Sequence, residues 1–268
     1  MRIVIKIGTS TLTHGSGHLN IRRVEALCKT LSDIRNAGHA LIVVTSGAIA
    51  MGVSKLGLKK RPDDIPTKQA AAAVGQCELM YVYDKLFGEY HHTVSQLLIT
   101  GDDTRSPERH RNFSNTLERL LELGALPIIN ENDTVATEEL GIGDNDTLAA
   151  IVAESVRADL LILLSDKDGL YTDNPDQNPD AKFIDTVDII DDKILAMGKG
   201  PGTSVGKGGM STKISAARIA TDSGADMIIT NAEDISKLGD VLEGGHIGTL
   251  FKAHKNIDFH LINYISHN

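Results

Sequence analysis

Only two cysteines occur in the 268 residues, Cys28 and Cys77. Both fall in apolar helical patterns, which predicts a pair of core thiols and argues against a disulfide framework. No run of eighteen apolar residues exists, and the first residues lack the basic segment and apolar core of a leader. A membrane span is therefore not expected, and a cytoplasmic location is. Positive charge is in deficit, with 27 Lys and Arg against 36 Asp and Glu and a formal net charge of −9. That argues against a nucleic-acid surface but leaves room for a local basic pocket that takes a small anion. The basic stretch "SKLGLKKRP", from Ser54, reads as a solvated loop. Pro- and Ser-rich linkers are missing too, so no independent domains are predicted, only a soft boundary near residue 155 between two lobes on one sheet.

Several familiar site motifs are absent as well. A P-loop needs G-x-x-x-x-G-K-[ST]. Around Gly206-Lys207, Pro201 stands where its first glycine belongs and Gly208 where its hydroxyl belongs. No G-x-G-x-x-G follows a strand, His91, His92 and His110 lack partners at zinc-ligand spacing, and no G-x-S-x-G elbow is present.

What the sequence does contain is a cadence. A helix ends near Gly or Ala, an apolar strand follows, and polar residues come at once: "GHALIVVTSG" from Gly38, "GALPIINEND" from Gly124, "ADLLILLSD" from Ala158 and "GADMIITNA" from Gly224. Apolar strands alternating with helices predict an α/β fold with a parallel sheet covered on both faces. Asn20 should cap a helix whose Val24, Leu27, Cys28, Leu31 and Ile34 share one face, and further helices are expected over residues 67–86 and 106–123. "GTSTLTHGSGHLN" reads as a loop, and residues 135–143, "VATEELGIG", as a hairpin or flap.

Ligands of such sheets bind beyond the carboxyl ends of the strands. The residues there are Lys6 to Gly8, Ser46-Gly47, Asn130 to Asp133, Ser165-Asp166 and Thr230-Asn231. "KIGTS", "TSGAIAMG" and "GKGGMSTK" each offer backbone N–H groups and hydroxyls, and together they favour an anion site. Lys6 lies inside the apolar run "IVIKIG", where a buried ammonium needs an anionic partner. Asp133, Asp144, Asn145 and Asp146 form an acidic cluster before the helix "TLAAIVAESV", which Asn145 or Asp146 is expected to cap.

In combination, "VIKIGTS", "TSGAIA", "INENDTV", "GDNDTLAA", "LLSDKDGLYTDNP", "GGMSTK" and "GTLF", in this order, resemble the amino acid kinase family. The resemblance implies a three-layer αβα sandwich with a mainly parallel central sheet. It also implies ATP-dependent phosphorylation of the γ-carboxylate of L-glutamate, the opening step of proline biosynthesis. The N-terminal lobe (about 1–155) should hold glutamate and the C-terminal lobe (about 156–268) ATP. Lys6 and Lys213 match the pair that neutralises the moving phosphoryl group, and Asp146 the carboxylate that holds both. Ser46, Asp133 and Asn145 match the glutamate-gripping positions. Lys6, Ser165, Asp166 and the loop Lys207, Gly208, Gly209, Met210, Ser211, Thr212 and Lys213 match the nucleotide site. Lys207 stands where family members commonly have a small polar residue. Mg²⁺ is expected with the nucleotide and is assigned to no protein ligand. The resemblance further implies feedback inhibition by proline through the flap and a homo-oligomer, dimer or tetramer. The RNA-binding-like C-terminal module of many members has no counterpart after "GTLF", so no nucleic-acid contact is expected. The competing readings are kinases of the family acting on acetylglutamate, aspartate, carbamate or UMP, and a non-catalytic amino-acid sensor.

Overall fold

In the computed structural model, residues 1–136, 144–198, 209–245 and 247–267 are described. The strands, in chain order, are β1 (Arg2–Ile7), β2 (Ala40–Val44), β3 (Val94–Ile99), β4 (Leu126–Glu131), β5 (Leu160–Ser165), β6 (Leu170–Tyr171), β7 (Phe183–Ile184), β8 (Thr186–Val187), β9 (Asp226–Asn231) and β10 (Thr249–Phe251). Eight of them form one sheet in the order β3-β4-β2-β1-β5-β9-β10-β8, while β6 and β7 make a separate hairpin. All pairings in the large sheet are parallel except β9 with β10. From β1 the chain lays β2 alongside, crosses to the edge with β3, fills the gap between them with β4, and returns to β1's other side with β5. The strand order reverses at β1, and at such a reversal the loops after neighbouring strands part and open a crevice.

The helices are α1 (Thr9–Leu12), α2 (Ile21–Asn36), α3 (Ala48–Lys55), α4 (Ile65–Gly88), α5 (Gly101–Arg105), α6 (Pro107–Glu122), α7 (Asn145–Ser155), α8 (Asp192–Met197), α9 (Met210–Ser223), α10 (Leu238–Leu242) and α11 (Leu261–His267), with a 3-10 helix over Ala232–Lys237. Strand side chains alternate between faces, and the two cores follow that parity. Val4, Val44, Ile129, Leu163 and Ile229 pack against α6, α7 and α9. Ile3, Ile5, Val43, Ile128 and Leu164 pack against α2 and α4. The result is the expected three-layer sandwich.

Local expectations divide instructively. Asn20 caps α2 by accepting the Arg23 N–H, and Gly38 beyond its end adopts φ 96°, a left-handed turn that glycine enters without a Cβ penalty. The predicted α2 face is buried throughout. Cys28 is a core thiol, pushed up to about 12 by burial. Cys77 is exposed, a correction: it lies on the outward side of α4, where Gln76 and Leu79 face inward. The segment after β1 is not wholly a loop, since Thr9–Leu12 makes a helical turn and Thr13 bridges to Leu19. Of the expected flap, residues 137–143 lie outside the described residues. Among the described residues no helix is long and apolar enough to cross a membrane.

Candidate active site

Parity decides where Lys6 goes. It shares the face of Val4, so its side chain leaves β1 toward the layer of α7 and α9. There its Nζ lies 2.7 Å from Asp146 Oδ1, while Lys213 Nζ, from α9, sits 3.0 Å from Asp146 Oδ2. Asp146 is 1% exposed and Lys213 8%. The Thr212 hydroxyl also donates to Asp146 Oδ2, at 3.0 Å. Burial pushes the Asp146 carboxyl up, but the adjacent Lys6 and Lys213 ammonium groups outweigh it and hold the group below the ordinary carboxylate range. Two ammonium groups against one carboxylate leave one net positive charge at the carboxyl end of the central strand. Desolvation makes such an excess costly until an anion completes it.

The cap of α7 requires a correction. Neither Asn145 nor Asp146 caps it; Asp144 does, with extended backbone (φ −158°, ψ 156°) and a carboxylate that accepts the N–H groups of Asp146 and Thr147. Burial and the neighbouring Asp146 charge raise the Asp144 pKa, against those hydrogen bonds. Because Asp144 satisfies the helix terminus, the two following side chains are released for other partners.

Asn145 turns toward the ends of β2 and β4. Its Nδ2 lies 2.6 Å from the Thr45 carbonyl, 2.8 Å from Ser46 Oγ and 3.0 Å from Asn130 Oδ1, three acceptors that share its two N–H groups. Ser46 Oγ shares one of those N–H groups, which leaves its own proton for an acceptor outside this cluster. Under it, Thr45 Oγ1 pairs with the Tyr83 hydroxyl at 2.8 Å, whose complete burial raises its pKa and keeps the phenol neutral. Asn130 Nδ2 donates to Gln76 Oε1 at 2.9 Å. Asp133, half-buried, follows in the turn after β4. The structure thus joins Ser46 to Asn145 directly. It adds Thr45, Gln76, Tyr83 and Asn130, which the candidate set had omitted. Asn130 was visible as a strand-end polar residue; Gln76, inside the Ala-rich "AAAAVGQ", carried no such signal.

On the other side of Lys6, a cavity of about 440 Å³ is lined by Ser165 and Asp166 at the end of β5, Tyr171 and Pro175 beyond it, and Met210 and Lys213 of α9. Gly209 borders it too, whereas Ser211 is exposed on the first turn of α9. Lys207 and Gly208 lie outside the described residues. Lys167, Tyr171 and Pro175 are lining residues that had not been singled out, although "SDKDGLYTDNP" contains all three.

Helix caps separate these surfaces from the rest of the molecule. Among the described helices of eight or more residues, α2, α4, α6 and α7 begin with a side-chain cap from Asn20, Asp64, Ser106 and Asp144. Helices α3 and α9 begin at Gly47 and Gly209 with no side-chain cap. Both uncapped termini follow the predicted site loops, and their first-turn N–H groups and dipoles suit anionic groups.

A sheet reversing its order at β1, a lysine pair bound to one carboxylate, and two uncapped helix starts gather anion-binding groups along one edge of the fold. The chain belongs to the amino acid kinase family, whose model matches residues 1–231. Its relatives include glutamate 5-kinases. The glutamate 5-kinase of Listeria monocytogenes serovar 1/2a is 51% identical over 258 residues, spanning 95% of this chain and 94% of the relative. The glutamate 5-kinase of Clostridium acetobutylicum is 51% identical over 250 residues, spanning 93% and 94%. Among solved structures, T. acidophilum isopentenyl phosphate kinase superposes with a TM-score of 0.66 at 21% identity, covering 94% of this chain and 100% of that one. Giardia lamblia carbamate kinase gives 0.66 at 17% identity, covering 94% and 98%. At those identities the two structures speak for the fold alone.

Proposed function

We infer that this chain is a kinase that transfers the γ-phosphoryl group of ATP to the γ-carboxylate of L-glutamate, giving L-glutamyl 5-phosphate for proline biosynthesis. The observation that carries the reading is the Lys6–Asp146–Lys213 clamp, set between the amide cluster and the 440 Å³ cavity. Half-identity to glutamate 5-kinases over nearly the whole chain supports the choice of acceptor.

The chemistry suits these side chains. A γ-carboxylate has a pKa of about 4.3 and is ionised at neutral pH, so no general base is needed to create the nucleophile. The barrier is repulsion between that carboxylate and the phosphates. Lys6 and Lys213 place positive charge where the equatorial oxygens of the moving group gather negative charge. Asp146 holds both ammonium groups at one point, so little reorganisation is needed during transfer. On this reading Ser46, Asp133 and Asn145 orient glutamate within the N-terminal part, about residues 1–155. Ser165, Asp166 and the start of α9 receive ATP in the remainder. Among the described residues no three His, Cys, Asp or Glu side chains converge on a metal site. Mg²⁺, which demands oxygen ligands and keeps several waters, would be held mainly by the nucleotide phosphates.

Incubating the enzyme with ATP, Mg²⁺ and each acceptor, with hydroxylamine to trap an acyl phosphate, should give hydroxamate with glutamate. A clear preference for acetylglutamate, aspartate, carbamate or UMP would overturn the assignment. Alanine at Ser46, Asp133 or Asn145 should raise KM for glutamate about 10-fold, the cost of a hydrogen bond to a charged group, and leave KM for ATP nearly unchanged. A selective ATP defect would mean these residues serve the other substrate. Proline inhibition, assembly as a homo-oligomer and a cytoplasmic location belong to the same proposal. Proline should raise the apparent KM for glutamate in that assay, and no inhibition at low glutamate would exclude the feedback. Sedimentation should show a species heavier than the monomer, and cell fractionation should recover the enzyme with the soluble fraction.

A further inference from the structure

The amide cluster has a fixed direction, and that direction can be worked out from backbone groups that cannot flip. The Glu131 N–H donates to Asn130 Oδ1 at 2.9 Å, so this oxygen must be the acceptor end of Asn130. Its Nδ2 then faces Gln76, which forces Gln76 to present Oε1, at 2.9 Å. On the other side, Asn145 meets two obligate acceptors, the Thr45 carbonyl and Asn130 Oδ1, and must present Nδ2 to both. That orientation leaves Asn145 Oδ1 to receive a donor. The cost falls on Gln76, which is 8% exposed and whose Nε2 is buried with no hydrogen-bond partner among the described residues. A buried unpaired N–H₂ group is unfavourable, so the arrangement is not one that stability alone selects.

We propose that Gln76 is a positioning residue that braces the free end of Asn130 in a relay whose direction the backbone sets, so that Asn145 keeps a carbonyl oxygen turned toward the α-ammonium of the substrate. The proposal rests on the reading of this cluster as the glutamate site. It makes the relay a specificity device: an acceptor favours a free ammonium and gains nothing from a dicarboxylate that lacks one.

Gln76→Met tests it. The variant removes the unpaired Nε2 but leaves Asn130 Nδ2 unpaired instead, exchanging one buried orphan donor for another, so the melting temperature should barely move. Without its acceptor, Asn130 is held by the Glu131 N–H at one end only, and its hold on Asn145 loosens. KM for glutamate should rise about 10-fold with KM for ATP unchanged. The preference in kcat/KM for glutamate over glutarate, the same dicarboxylate without the amine, should fall by a similar factor. Gln76→Glu keeps an oxygen facing Asn130 and should restore KM for glutamate to within about threefold of wild type. The inference fails if the Met variant keeps its glutamate KM, if both KM values worsen together with a fall in melting temperature, or if the Glu variant is as impaired as Met. Should Met not fold, Gln76→Asn, too short to span to Asn130, carries the same expectations; failure of both to fold marks Gln76 as purely structural. Wild-type activity on glutamate separates failure of this inference from failure of the functional reading itself.

Discussion

Lys6→Ala should lower kcat by about 10²–10³-fold while changing KM for glutamate or ATP far less, as expected for a stabiliser of charge that develops in the transition state. The ammonium is 2.7 Å from Asp146 and 12% exposed in its side chain, so water cannot take its place without rearrangement. Lys213→Ala should behave alike, because it binds the other oxygen of the same carboxylate. Lys6→Arg should rescue only in part, since a planar fork cannot replace a compact ammonium at one point. Asp146→Asn keeps the shape but leaves two buried ammonium groups repelling each other without a counter-charge, and should also lose kcat. Adding Lys6→Ala to Asp146→Asn relieves that repulsion, so the double variant should lose much less than the product of the two single losses. Steady-state kinetics at saturating ATP and glutamate decide the matter. A near-wild-type kcat in Lys6→Ala, or simple additivity with Asp146→Asn, would reduce Lys6 to a structural lysine at a strand end.

That pair of residues also shows what a sequence discloses. A lysine inside "IVIKIG" announces a buried cation in need of an anion, and strand parity states which face it occupies. The anion itself was one of two carboxylates in "GDNDT", and the residues alone could not say which would cap α7. Backbone conformation chose Asp144 as the cap, which leaves Asp146 to the two lysines and Asn145 to the ends of β2 and β4, the pairing that the family resemblance implied for Asp146. Five of the six long parallel strands were legible because each is an apolar run bounded by polar punctuation. By contrast β3, "VSQLLI", has an interior Ser-Gln and sits at the sheet edge with only Ile99 buried, so its pattern is that of a half-exposed segment. Gln76 was invisible for a different reason. Its partner Asn130 is 54 positions away, and nothing local to an Ala-rich helix signals a contact with the end of a distant strand.

Gly75→Ala should be among the most destabilising single changes in the fold, by roughly 3 kcal/mol, or about 6–12 °C in Tm for a domain of this size. Helices α3 and α4 cross with their backbones in contact. A Cβ at Gly75 would collide with the Ala48 carbonyl oxygen and lie 2.5 Å from the Gly52 nitrogen and 2.8 Å from the Ala48 carbonyl carbon. In return, a Cβ at Gly52 would collide with the carbonyl oxygen of Ala71. Backbone atoms cannot rotate away as a side-chain tip can, so the helices must separate. Ala48 is the first residue of α3, immediately after Ser46 and Gly47. Separation therefore displaces the Ser46 hydroxyl from Asn145, and KM for glutamate should rise as well as stability fall. Gly88→Ala supplies the control on the same helix. A Cβ there meets nothing within 4 Å, and the substitution should be neutral or stabilise by about 0.4–1 kcal/mol through the unfolded chain. Thermal melts of the two variants, followed by glutamate titration of whatever remains folded at 25 °C, read both effects. If Gly75→Ala melts with the wild type, the close crossing is not what fixes α3, and the amide cluster must be held by its hydrogen bonds alone.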